Sequence, residues 1–192
     1  MNLRFEPSFK TYYTGLYYRV KIKDSLSVEE LSELWDIFSN KRDGKVKAPT
    51  SSRVMIYLHN EKQLQHFIDT VDNRKIDVIQ GPINDYHKSV LDKPGLEVKN
   101  TLYYKKYRYK ADYGLIDKGE ARSNILSMLR NLVASDKQNF LGQNIYENRM
   151  GWSWPRIYVA GDEQLMMLKL SSDEYINHIT KVVTIKEIKA HG

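Results

Sequence analysis

Apolar and polar residues alternate through Tyr18-Arg19-Val20-Lys21-Ile22-Lys23. Tyr18, Val20 and Ile22 oppose Arg19, Lys21 and Lys23, the period-two signature of a half-buried strand. The spacing then changes to that of a helix, with Leu31, Leu34, Trp35 and Phe38 on one face. Ser27-Val28-Glu29-Glu30 ahead of it fits a capping box. Residues 40–52 are polar and basic around Gly44 and Pro49 and read as a loop. A strand at Arg53–Leu58 follows, then helix spacing at Leu64, Phe67, Ile68 and Val71, then a short apolar strand from Ile76 to Ile79 that stops at Gly81-Pro82.

A second series has the same order. Leu102–Lys110 reads as one long strand, with Tyr103, Lys105, Tyr107 and Tyr109 facing one way and Tyr104, Lys106, Arg108 and Lys110 the other. Ile125, Leu126, Met128, Leu129, Leu132 and Val133 mark a helix, and residues 135–155 a long loop. A strand at Arg156–Ala160, a helix at Asp162–Leu170 and a closing strand at Ile179–Ile188 complete the series.

The two series also match in residues. Leu16-Tyr17-Tyr18-Arg19 parallels Leu102-Tyr103-Tyr104-Lys105, and Ile56-Tyr57-Leu58 with the residues to Leu64 parallels Ile157-Tyr158-Val159 with those to Leu165. The expected architecture is therefore α/β (α+β). Two similar β-α-β-α-β units from an internal duplication are expected, packed as one pseudo-symmetric domain or standing as two lobes. The divisions are an N-terminal arm at 1–11, a first unit at 12–83, a connector at 84–100 and a second unit at 101–190.

Composition narrows the chemistry. No cysteine is present in the 192 residues, which excludes disulfides, thiolate metal sites and cysteine catalysis. The first residues lack the apolar run of a signal peptide, and no stretch approaches the ~18 apolar residues of a membrane span, so a cytoplasmic protein that avoids membranes is expected. The net charge of +6 favours acidic partners, either nucleic acid or an acidic protein surface, and leaves room for a homo-oligomer. No phosphate-binding loop, nucleophile elbow or common metal-ligand spacing occurs, so no cofactor and no metal are expected.

The most informative segment is the tyrosine-rich basic run. Aromatic rings beside cations are the parts that stack unpaired bases and neutralise phosphates. Tyr104, Lys105, Lys106, Tyr107, Arg108 and Lys110, with Arg19, Lys21 and Lys23 in the first half, are the candidate nucleic-acid residues. Lysines guarding an edge strand against aggregation give the same pattern without any ligand. Trp152 and Trp154 are candidate partner-binding anchors. Acids such as Glu97 or Asp112 interrupting the basic face would favour a protein-only partner.

His87-Lys88-Ser89 and His178-Ile179-Thr180 resemble the paired His-x-Ser/Thr motifs of the two-histidine phosphoesterases. That resemblance implies His87 and His178 as acid and base, with Thr180 on the phosphate. The first motif departs from the pattern, with Lys88 where an apolar residue belongs. The run Ile157–Leu170 resembles a segment of small proteins of tailed bacteriophages: a strand, an acidic turn and an apolar stretch ending in Lys169-Leu170. The expected function is therefore a non-enzymatic, phage-type accessory or virion protein that binds nucleic acid, in the host cytoplasm or the virion. A protein-only binder in virion assembly, or an inhibitor of a host factor, is the alternative, and a two-histidine enzyme the third.

Overall fold

The computed structural model describes residues 3–13, 15–23, 26–38, 44–50, 53–114, 120–146 and 154–192. The chain is a mixed α/β protein of two units, Met1–Asp92 with Ile188–Gly192, and Lys93–Glu187.

In the first unit the elements are β1 (Phe5–Pro7), β2 (Tyr18–Ile22), α1 (Val28–Phe38), β3 (Gly44–Thr50), β4 (Arg53–Leu58), α2 (Glu61–Thr70), β5 (Ile76–Gly81) and α3 (Asp85–Asp92). The sheet order is β1-β5-β2-β4-β3, with only the β1–β5 pair parallel. Leaving out β1, the β-α-β-β-α-β series in this order is the split, ferredoxin-like arrangement. The alternation in β2 holds: Tyr18, Val20 and Ile22 are buried with Leu34 and Phe38 of α1 and Leu64 and Phe67 of α2. The capping box forms as expected, Glu30 N–H donating to Ser27 Oγ at 3.2 Å and Ser27 N–H to the Glu30 carboxylate at 2.9 Å. Trp35 departs from its helix stripe and is half exposed.

The second unit repeats this: β6 (Leu96–Lys99), β7 (Tyr109–Tyr113), α4 (Glu120–Ser135), β8 (Phe140–Gln143), β9 (Arg156–Val159), α5 (Asp162–Ser172), β10 (Ile176–Thr184) and α6 (Ile185–Ala190), with sheet order β6-β10-β7-β9-β8. Ile125, Leu129 and Val133 of α4 and Leu168 of α5 cover its buried face. Details recur as well. A register shift falls between Lys21 and Ile22 opposite β5, and another between Ile176 and His178 opposite β7. The Tyr18 hydroxyl donates to Glu61 (3.1 Å) and that of Tyr109 to Asp162, each carboxylate opening its helix. A carboxylate there also meets the positive helix end.

Several expectations are corrected. Residues 44–50 form β3, and the 135–155 segment contains β8; both are edge strands, β3 carrying the turn-type residues Gly44 and Pro49 and β8 only four residues long. Residues 84–100 hold α3 and β6, and β1 lies within the expected arm. The closing strand ends at Thr184 and turns into α6. Leu102–Lys110 is not one strand: an isolated bridge pairs Tyr103 with Tyr107 around a tight turn, and β7 starts at Tyr109. Residue pairing moves accordingly. Tyr103–Tyr107 corresponds to Tyr12–Leu16, which is closed by the same kind of bridge, and not to the Tyr17-Tyr18 pair.

Candidate functional site

In each unit the helices cover one face of the sheet, and strand alternation sends the remaining side chains to the other. On that open face β2 presents Arg19 and Lys21, β3 Lys45 and Lys47, and β4 Met55 and Tyr57. The turn before β2 adds Tyr12 and Tyr13. Their rings gather on Tyr57, with centroids 5.4 Å away for Tyr12 and 4.9 Å for Tyr13, the latter edge-to-face at 88°. The Arg19 guanidinium lies 5.2 Å from the Tyr12 ring centre; Lys45 and Lys47 lie 4.0 and 5.0 Å from that of Tyr13.

The second unit builds the same cluster from equivalent positions. Tyr103 and Tyr104 gather on Tyr158 of β9 at 5.2 and 5.0 Å, Tyr104 edge-to-face at 85°. Lys110 of β7, at the position of Arg19, lies 5.9 Å from the Tyr103 ring. Such ring pairs each contribute about 0.5–1.5 kcal/mol beyond area burial.

The turns place the outer ring of each cluster by an unusual backbone. Tyr13 has φ +36° and Tyr104 φ +49°, and Lys105 follows at +60°. A bulky residue in the left-handed region costs about 1–2 kcal/mol. Gly15, at φ +97°, relaxes the first turn; the second has no glycine. Tyr13 and Tyr104 are 39% and 59% exposed, whereas Tyr12, Tyr57 and Tyr158 are buried. Two strained positions therefore each hold a partly exposed ring against buried ones, that of Tyr13 with the Lys45 ammonium over it.

The charges around the clusters differ. In the first unit Lys21 pairs with Asp77 (2.8 Å) and Arg19 donates to Gln80, but among the described residues no carboxylate lies within ion-pair distance of Lys45 or Lys47. The Lys47 ammonium hydrogen-bonds the Tyr13 hydroxyl and draws that phenol below its usual range. In the second unit Leu141 and Gln143 stand where Lys45 and Lys47 are, and Asp112 where Lys21 is. Asp112 pairs with Arg156 and with Lys110 (3.4 Å), and Glu97 accepts from Tyr103 and pairs with Lys99 (3.0 Å). Burial alone would raise the Glu97 carboxyl, but these two partners outweigh it and hold it below the usual range. Burial, then Glu97, pushes the Tyr103 phenol up, so it stays a neutral donor. Glu97, Lys99, Tyr103, Lys110 and Arg156 line an open cleft of about 490 Å³, with Tyr104 and Tyr158.

Among the residues expected at a nucleic-acid site, Arg19, Lys21 and Lys110 lie on the open faces, and Tyr104 at a cluster edge. Lys23, just after β2, is exposed, as are Lys105 and Lys106 in the turn. Tyr107 is buried and Arg108 is held by Glu187 at 2.7 Å, so neither shares a cationic strand face with Lys110. Sequence reasoning passed over Tyr12, Tyr13, Tyr57, Tyr103 and Tyr158 as site residues; the repeated Ile-Tyr at 56–57 and 157–158 was the available signal. Trp152 lies outside the described residues; Trp154 is partly exposed, its carbonyl accepting from Asn144 at 3.2 Å.

The two histidines are not equivalent. His87 is fully buried in α3, Nδ1 accepting from Ile83 N–H (3.2 Å) and Nε2 bonded to the Ser8 carbonyl (2.9 Å). Both nitrogens are engaged, and burial pushes its pKa down. His178 is exposed on β10, and Thr180 beyond it is buried. His87 and Glu187 are each the third residue of their helix, so the position matching His87 in the second unit carries a carboxylate. Among the described residues no three His, Cys, Asp or Glu side chains gather as metal ligands, and no helix is long and apolar enough to cross a membrane. No family model and no curated protein matches the chain.

Proposed function

We propose that this is a non-enzymatic nucleic-acid-binding protein, a phage-type accessory or virion component, that holds unpaired nucleotides against the open faces of its two sheets. The observation that carries the reading is the recurrence, at equivalent positions, of a three-tyrosine cluster with a cation beside it and its outer ring exposed on a strained backbone. A fold alone does not require bulky residues at left-handed positions twice, and strain of this kind concentrates at working sites. Partly exposed rings with cations against the cluster suit single strands, whose bases are free, more than duplexes.

The test is binding of labelled single-stranded and duplex DNA and RNA across a salt series, beside a Tyr13→Asn/Tyr104→Asn variant; asparagine tolerates the left-handed backbone while removing both rings. Preference for single strands, lost about tenfold or more in the variant, supports the reading. Equal binding of duplex, unchanged in the variant, overturns it. The carboxylates Glu97 and Asp112 within the second face favour a second reading, a protein partner on that face, which predicts oligonucleotide binding unaffected by Tyr104→Asn alone.

A further inference from the structure

Resting on that reading, we infer that the two faces divide the recognition: the first unit grips backbone phosphates, and the cleft of the second unit takes a nucleobase and reads its edge. The duplication supplies an internal control, since the same scaffold and the same tyrosines carry different charges. At the two β3 positions flanking the first cluster stand Lys45 and Lys47, with no described carboxylate to offset them. Their equivalents in β8, Leu141 and Gln143, carry no charge to attract phosphate. The change at the Lys21 position goes the same way, because Asp112 there repels an anion and binds Arg156 and Lys110.

What the second face gains is a cleft. About 490 Å³ lies within the usual range for small-molecule pockets and is ample for one base with its sugar. Its walls hold Tyr104 as a stacking surface, and Glu97, Lys99 and Arg156 as acceptor and donors, Lys99 paired with Glu97 and Arg156 with Asp112 behind it. A nucleobase matches this: it is uncharged, presents one aromatic face, and carries donors and acceptors on its edge. A site of paired polar groups discriminates by leaving them unmatched when the wrong edge enters. Phosphate gains less there than beside Lys45 and Lys47, since Glu97 holds Lys99 and Asp112 holds both Lys110 and Arg156.

The experiment uses the full chain, homopolymer single strands of each base, and an abasic backbone oligomer of the same length, by fluorescence anisotropy from low to high salt. Circular dichroism melts verify that each variant is folded. Lys45→Gln/Lys47→Gln is expected to flatten the dependence of log K on log salt by about 1.4, two phosphate contacts' worth for a single strand, and to weaken every oligomer alike. Tyr104→Asn is expected to leave that slope unchanged and to lower affinity for base-bearing strands about tenfold or more, toward that of the abasic oligomer. Glu97→Gln is expected to change the order of preference among the four homopolymers. Wild-type protein that binds the abasic oligomer as tightly as the others overturns the division, as does a Tyr104→Asn variant that changes only the salt slope. Absence of binding to any oligomer is distinct from both, and removes the nucleic-acid reading along with the inference.

Discussion

The first and second units share their topology, their register shift and their tyrosine clusters, yet differ in what surrounds them. Lys45 and Lys47 stand free of described carboxylates in one, while Glu97 and Asp112 answer the cations of the other. What stays the same in both copies identifies what the fold and the site need; what differs identifies where each copy has specialised. The conserved set includes the Tyr18–Glu61 and Tyr109–Asp162 hydrogen bonds and the left-handed Tyr13 and Tyr104. On the open faces the difference is mainly one of charge, Lys21, Lys45 and Lys47 against Asp112, Leu141 and Gln143.

The largest effects should come from the cores. Phe67→Ala and Leu168→Ala, both fully buried, are each expected to cost about 2–5 kcal/mol. Calorimetry should show each substitution lowering the transition of its own unit first; a single transition lowered alike by both would mean that the units unfold as one. Next, Tyr18→Phe and Tyr109→Phe leave a helix-opening carboxylate without its phenolic donor. Both carboxylates are exposed and water can replace the phenol, so each is expected to cost about 0.5–1.5 kcal/mol, and near-equal losses in urea titrations would show that the two hydrogen bonds are the same device.

Acid should separate the units. His87 is buried neutral, its pKa pushed down by desolvation, so the first unit loses stability as pH falls below the ordinary histidine value of 6.5. Its counterpart in the second unit, Glu187, is opposed by burial but held down to about 2 by Arg108 and Thr184. Its stabilisation is present above the ordinary value of 4.5 and disappears as pH falls toward 2. Melting between pH 7 and pH 5 should therefore weaken the first unit while sparing the second, and Glu187→Gln should reduce the second unit's loss below pH 4.5. The smallest effect is expected for Tyr13→Asn and Tyr104→Asn. Relief of the left-handed strain offsets the lost ring contacts, so stability should change by less than about 1 kcal/mol even as binding falls. A large loss of stability would make those tyrosines structural.

Much of the scaffold was legible in the chain. The capping box at Ser27, the alternation in Tyr18–Ile22 and the apolar stripe of α4 all reflect local physics, and all appear where expected. The edge strands β3 and β8 were not legible, because Gly44 and Pro49 within β3 read as turn residues and the four residues of β8 span too few periods. The Leu102–Lys110 run misled for a different reason. Tyrosine favours strands by propensity, and nothing local in Tyr103-Tyr104-Lys105-Lys106-Tyr107 announces two left-handed residues. Only Gly15 in the equivalent turn of the first unit gives it away, once the halves are aligned on Tyr12-Tyr13. The tyrosine clusters needed topology, since Tyr57 meets Tyr12 and Tyr13 only through the pairing of β2 with β4.

The central claim is that the exposed tyrosines of both open faces contact unpaired nucleotides. Ultraviolet cross-linking of the full chain to a single-stranded oligonucleotide, with the adducts mapped by mass spectrometry, tests it directly. Adducts are expected at Tyr13 and Tyr104, lost when excess unlabelled single strand competes and retained when duplex does. Adducts confined to other surfaces, with Tyr13 and Tyr104 unmodified, would contradict it.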